Sequence, residues 1–429
     1  MAGESQFKAC VYRVNKFTLD VNGSSEEVDP QYVSEIVIEK PYDTMFLPYF
    51  ELTITIPNAV FRHMKEENIE VRAYIDLQKA YDEISMNGEG QDDSSEDHSG
   101  LGWESAIEGN FYVFSDEASV ATNVKEIEEY EEKEADNQSD LSNMTTTRVA
   151  LYNEEFLFNA KNTVNGVLQD TTPIDAVIWI CNQASLSNIL CSPPTVEQTY
   201  EQIIIPPYSA VKAISWVTNN YNTNDCGTLV FFDTDRGYIL NKNAKCTAWV
   251  GGDARRTIVE SVNNESDSYG SCCGCFKDGE EYHVNLEENA MHFSTPSVVA
   301  TQTVGSNMMV VNSATGEKST YETGATTTAM GENTKVYSNA DGTSNGDALA
   351  MSIKEASKQA ECEFTAVDLD AFKPNMEISM SFTDAELSDK GGSYRVSEVK
   401  CVMSKNADIL VPVVKVTLLG GYEDTTTSA

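Results

Sequence analysis

Basic residues are scarce in this chain of 429 residues: 29 Lys and Arg stand against 68 Asp and Glu, a formal net charge of −39. Nucleic-acid phosphates are bound by Lys and Arg that displace counterions, so the balance argues against sequence-specific nucleic-acid binding. Histidine is rarer still. His63, His98, His283 and His292 are the only four, and neither His63, in an expected helix, nor His98, in an acidic loop, comes with a Gly-x-Ser-x-Gly elbow or a cysteine-protease signature. No phosphate-cradling Gly-x-x-x-x-Gly-Lys-[Ser/Thr] loop occurs, and no Gly-x-Gly-x-x-Gly follows a strand, so nucleotide chemistry has no support. With 68 acidic side chains, neighbouring carboxylates arise by chance and do not mark a glycosidase. No catalytic residue and no cofactor are expected. Long apolar runs are missing too: none reaches eighteen residues, and the opening MAGESQFKACVYRVNKF is no secretory leader. A soluble product with no stable membrane insertion is the expectation.

What is present is a folded composition, 41% hydrophobic and 9% aromatic. The length points to two to four domains. Ten cysteines include Cys181 and Cys401 in apolar runs, where a thiol acts as a small hydrophobe. Reduced thiols are the default, and a disulfide set formed in an oxidising medium stays open. Cys272, Cys273 and Cys275 with His283 are weak metal candidates, because structural zinc sites use two separated ligand pairs; no metal is expected. The Asx-rich stretches 233–237 and 339–347 lack the twelfth-position ligand of a calcium loop and read as turns.

Along the chain, Lys8–Val14 and Phe17–Val21 read as strands around a Val14-Asn15-Lys16 turn. Tyr32–Glu39, Phe50–Ile56, Ile69–Leu77 and Gly109–Ser115 alternate as half-buried strands, with a short helix over Val60–Glu67. Acidic stretches near 86–103 and 123–147 read as solvated loops, or as contacts to a neighbour or a lumen. Val149–Phe158 and Val164–Leu168 read as strands. Thr172 caps a helix opened by Pro173 and Asp175. Gln202–Ile205 is a short β run broken by Pro206 and Pro207. The helix Ser209–Asn220 and the hairpin Thr228–Phe232 with Tyr238–Leu240 follow. Arg256–Val262 and Tyr282–Leu286 are strands interrupted by Ser266–Gly279. A helix over Ala348–Ala360 then precedes four strands, Cys362–Leu369, Met376–Phe382, Tyr394–Met403 and Ile409–Leu419.

The order of Pro206-Pro207, the helix and GTLVFFDTDRGYIL, followed near the end by FKPNMEISMSF, GSYRVSEVKCVM and VVKVTLLGGY, resembles the baseplate hub proteins of contractile-tailed bacteriophages. The likeness is carried by Thr172–Leu240 and more weakly by Gly346–Gly421. It implies an α+β, mainly β chain with two tube-like antiparallel β-barrel domains around an α+β middle domain. The barrels would occupy 1–148 and, completed by a helix and meander, 346–422. The middle domain would be 149–250, with a β-rich segment 251–311, a low-complexity linker 312–345 and a frayed tail 423–429. It further implies a homotrimeric ring that performs no chemistry, with a tail tube protein above, a central spike below and wedge proteins around. The place would be the virion baseplate, assembled in host cytoplasm, and the genome would pass through an acidic lumen. The alternative is a tail-associated cell-wall hydrolase or a carbohydrate-binding adhesin.

Overall fold

The computed structural model describes residues 7–44, 46–66, 69–83, 100–114, 144–192, 199–221, 228–241, 256–262, 274–287, 290–294, 308–311, 318–321, 335–338, 358–374, 376–382, 387 and 390–420. The first part holds β1 (Lys8–Val21), β2 (Ser24–Val28), β3 (Val33–Pro41), β4 (Tyr49–Pro57), α1 (Asn58–Met64), β5 (Val71–Glu83), β6 (Glu104–Phe114) and β7 (Met144–Asn153). β4 shows why these are strands. Phe50, Leu52, Ile54 and Ile56 are all buried and the residues between them are not, the two-residue period of a sheet with one face on a core.

The expected turn at Val14-Asn15-Lys16 is instead a bulge inside one strand of 14 residues. Tyr12 and Val14 face inward before it, Phe17 and Leu19 after it. One extra residue flips the parity while both halves stay paired with β5. The expected strand Val149–Phe158 also needs correction. β7 stops at Asn153, whose side chain accepts from the Phe156 amide at 3.1 Å and caps a helix, with Glu154 and Glu155 in its first turn.

That helix, α2 (Glu154–Lys161), opens the middle module, followed by β8 (Thr163–Thr171), α3 (Pro173–Gln183), β9 (Ile189–Cys191), β10 (Tyr200–Ser209), α4 (Ala210–Asn220), β11 (Thr228–Phe232) and β12 (Gly237–Asn241). Thr172 accepts from the Asp175 amide at 3.2 Å, so the predicted cap of α3 is present. Pro206 and Pro207 do not end β10. The strand runs through them and its register with β8 shifts between Ile205 and Tyr208, and a bulge in a two-stranded ribbon tolerates missing amides.

The last part holds β13 (Arg256–Val262), β14 (Cys275–Asp278), β15 (Glu281–Glu287), β16 (Met291–Ser294), β17 (Met308–Val311), β18 (Lys318–Tyr321), β19 (Lys335–Ser338), β20 (Lys358–Thr365), β21 (Glu377–Ser381), β22 (Gly392–Asn406) and β23 (Ile409–Gly420). Three expectations change here. The interruption Ser266–Gly279 contains β14, and the linker 312–345 contains β18 and β19, both paired with β17. The helix Ala348–Ala360 lies outside the described residues up to 357, and from Lys358 the chain is strand. Ala360 and Cys362 alternate inward opposite Leu418 and Val416, so burial on a sheet overrides the helical spacing.

The architecture is mainly β with an α+β module in the middle, as the resemblance implied. Two strand circuits share one long hairpin, β22 with β23. Near the hairpin's open end, Gly392–Arg395 of β22 pairs with β21 and Val413–Gly420 of β23 with β20. Past a bulge between Val396 and Glu398, β22 pairs with β3 from Glu398 to Ser404, while Leu410 of β23 meets Tyr12 of β1. One circuit runs β22-β3-β4-β7-β6-β5-β1-β23, and the other returns through β21, β13, β15 and β14 to Lys8 of β1. Their side chains fill one continuous core from Cys10 to Leu418.

The module has its own core of α2, α3 and α4 against β8 and β10. β11 and β12 join the two cores. Every residue of both strands is buried, with Leu229, Phe231, Tyr238 and Leu240 in the barrel core and Val230, Phe232 and Ile239 in the module core. An unbroken TLVFF run, without polar alternation, is what burial on both faces requires.

Candidate functional site

The chemistry-bearing side chains converge where the circuits meet. β20 ends in a turn whose Asp368 is 1% exposed. Its Oδ1 accepts from the Asp370 amide at 3.0 Å, closing a short 3-10 turn over Leu369–Phe372, and from the Tyr12 hydroxyl at 3.4 Å. Its Oδ2 accepts from Lys79 Nζ at 2.8 Å, the Tyr81 hydroxyl at 2.5 Å and the Tyr282 hydroxyl at 3.3 Å. The Asp368 amide donates to Cys275 Sγ at 3.3 Å, and the Leu369 amide donates to the Tyr12 hydroxyl at 3.2 Å. Strands β1, β5 and β15 are thus tied to one carboxylate, and β14 to the backbone amide of the same residue.

Lys79 also donates to Asp370 at 2.7 Å. Burial would pull the Lys79 amine down, but Asp368 and Asp370 outweigh it and hold the amine above its usual range. Burial likewise pushes Asp370 up, and Lys79 and Lys373 reverse that to leave its carboxyl below the usual range. Tyr12, Tyr81 and Tyr282 are raised, first by burial; the Cys275 thiol is pushed up to about 12, by burial and then by Asp368. Strong protonation of every donor and saturation of the carboxylate suit a lock, because proton transfer would leave a buried charge unpaired.

The ion pairs continue into the module. Lys373 lies 3.3 Å from Asp370 and 3.5 Å from Asp235, and Lys40 of β3 pairs at 2.7 Å with Asp233, which is 1% exposed in the β11–β12 turn. The Tyr42 hydroxyl donates to the Phe372 carbonyl at 3.2 Å, and the Tyr42 ring meets Phe231 edge-on at 4.8 Å. Asp43 accepts from Ser397 at 2.6 Å and pairs with Arg395 at 3.3 Å. The 233–237 stretch, weighed as a calcium loop, therefore spends its buried carboxylate on a lysine.

Of the weak metal candidates, Cys272 and Cys273 lie outside the described residues. Cys275 and His283 are not brought together. Cys275 is fully buried opposite Val284, whereas His283, one residue away, stacks on Phe276 at 4.4 Å and pairs with Glu260 at 3.1 Å on the other face. The sequence-based view missed Asp368, Lys79 and Lys40. A signal for Lys79 was present, since it continues the inward parity of Val71, Ala73, Ile75 and Leu77.

A family model described as the bacteriophage PBS1 gene 109 protein matches residues 4–420. The chain belongs to that family. It is a phage protein family, in keeping with the resemblance to phage hub proteins. No curated protein matches the sequence. Among solved structures, this gene 109 family member is similar to the 43 kDa tail protein of prophage MuSo2 from Shewanella oneidensis, with 13% identity, TM-score 0.46 and coverage of 94% of this chain and 97% of that one. A tail protein from Neisseria meningitidis MC58 matches at 9% identity and TM-score 0.47 over 96% and 97% of the two chains. The E. coli c3393 protein, a type VI secretion component described as similar to T4 tail proteins gp27 and gp5, matches at 8% and 0.44 over 94% and 77%.

Proposed function

We propose that this chain is the structural hub of a phage tail baseplate. Three copies close into a ring that joins a six-fold tail tube above to a three-fold central spike below, with wedge proteins around it and the genome passing through its lumen. The observation that carries this is the shared β22–β23 hairpin, whose two halves belong to two different strand circuits. One subunit then offers two side-by-side lobes, and three subunits offer six positions from a single interface type. The Asp368 lock supports the same reading, because a ring that transmits load needs its two lobes fixed to each other. The hub performs no chemistry, works in the virion tail baseplate and is assembled in host cytoplasm.

The deciding measurement is the native mass and rotational symmetry of the assembled protein. A particle of three chains with six-fold pseudo-symmetry is expected. A stable monomer or a two-fold dimer overturns the hub. Release of peptidoglycan fragments by the purified chain would put the hydrolase reading in its place.

A further inference from the structure

We propose that the free edge of β8 in the middle module is a docking site for an extended segment of a different protein, which adds a third strand to the β8–β10 ribbon. That the occupant is another protein, and not a second copy of this chain, rests on the hub reading; the edge itself does not.

β8 and β10 form a sheet of two strands, and neither joins a further strand among the described residues. One face of this ribbon is filled. Ile203 and Ile205 are buried against the helices, and Trp179 of α3 lies over Gly166, where an added Cβ would come within 2.9 Å of the indole. The opposite face is bare. Val167 and Ile204 stand directly opposite each other on it and each is 55% exposed. A third strand alongside β8 would extend this aliphatic row and shield the outer flank of Val167 from water.

The two edges of the ribbon differ. β10 carries Pro206 and Pro207, which have no amide to offer, the extra residue of its bulge, and an Ile204 carbonyl that accepts from the Trp216 indole at 3.1 Å. β8 has none of the devices that shield an edge: from Val164 to Gln169 it holds no proline and no charged residue. Alternate amides and carbonyls of an antiparallel edge strand point away from its partner, so β8 offers a row of them about 20 Å long to a strand laid alongside.

Charge describes the occupant. Lys161 lies just before β8, Asp170 lies near its far end with Glu201 on the neighbouring strand, and all three are exposed. A strand antiparallel to β8 brings its first residues to Asp170 and its last to Lys161. Such a segment is basic at its start, uncharged and β-branched through its middle and acidic at its end. A second copy of β8 could meet the edge only about a two-fold axis, which a three-fold ring does not contain. Strand addition of this kind draws its affinity from main-chain hydrogen bonds and its selectivity from the alternate side chains.

The test offers the full chain an N-acetylated peptide, Lys-Thr-Val-Thr-Val-Thr-Val-Thr-Glu, and a control with two adjacent prolines at its centre, and follows amide exchange across 163–171. At about 1 mM the first peptide should slow exchange in β8 about tenfold. The proline peptide should not, because one of two adjacent prolines must face β8 without an N–H. Val167→Lys, at an exposed position, should keep the melting temperature and lose most of the slowing. Slowing by neither peptide, by both alike, or undiminished in Val167→Lys overturns the proposal, and on rings of three chains it leaves the hub reading standing. A stable monomer removes the hub reading, and the same exchange measurement still decides the edge. A two-fold dimer that Val167→Lys separates puts a second copy on β8 and overturns both.

Discussion

The middle module and the double barrel bury comparable kinds of side chain with chain segments at very different separations. The module core is gathered from Phe156 to Ile239, almost all of it within one stretch. The barrel core needs Cys10 and Leu418 in the same place. Closing long loops costs entropy before any contact offsets it, so the module is the part built to form first and the barrel the part that waits for both ends. The lock around Asp368 sits in the late-forming part, where four strands distant in sequence need a common reference point.

That contrast can be broken most forcefully with alkali. Tyr12, Tyr42, Tyr81, Tyr238 and Tyr282 and the thiols of Cys10, Cys275 and Cys401 are all held above their usual values, first by burial. The unfolded chain releases these protons at about 8.5 for thiols and about 10 for tyrosines while the folded chain keeps them. Stability is therefore intact below those values and lost as pH rises above them, at about 1.4 kcal/mol per group per pH unit. Denaturant midpoints measured from pH 7 to 11 should fall steeply, with barrel amides losing exchange protection before module amides. A flat profile would contradict the burial of these groups.

Removing the cation of the lock comes next. Lys79→Met leaves Asp368 buried with only neutral donors, three tyrosine hydroxyls and the Asp370 amide, and should cost about 3–5 kcal/mol in urea unfolding. Adding Asp368→Asn should recover much of that loss. Adjacent residues then sharpen the division between cores: Phe231→Ala and Phe232→Ala should each cost about 3–5 kcal/mol. Increased hydrogen exchange should centre on β1, β5 and β22 for the first and on α2 to α4 for the second. If both loosen the same amides, the hairpin does not separate two cores. The smallest effect is local. Thr172→Ala removes the cap of α3 and should cost about 1 kcal/mol, read as faster exchange in α3 alone.

Much of this was legible beforehand where the physics is local. Alternation in β4 and β5, the cap at Thr172, the amphipathic helix before Tyr221 and the hairpin around Asp233 follow from neighbours a few residues apart. The bulge at Asn15 was not legible, because Val14-Asn15-Lys16 suits a turn and a bulge equally and only the partner strand decides. Most of the helix expected over Ala348–Ala360 lies outside the described residues, and its last residues, from Lys358, are strand because β23 lies alongside. Of the lock, Lys79 had a readable anomaly as a lysine at an inward position; Asp368 had none, in a chain with 68 acidic residues.

By itself the sequence determined that this is a strand-rich, strongly acidic chain with an α+β insert, because composition, two-residue and 3.6-residue periods and caps act within a few positions of each other. Only the tertiary structure decided that one hairpin serves two circuits, that TLVFF faces two cores at once and that Lys79 finds Asp368. Each of these depends on which distant strand lies alongside, and hydrogen-bond register across hundreds of residues leaves no mark on local pattern.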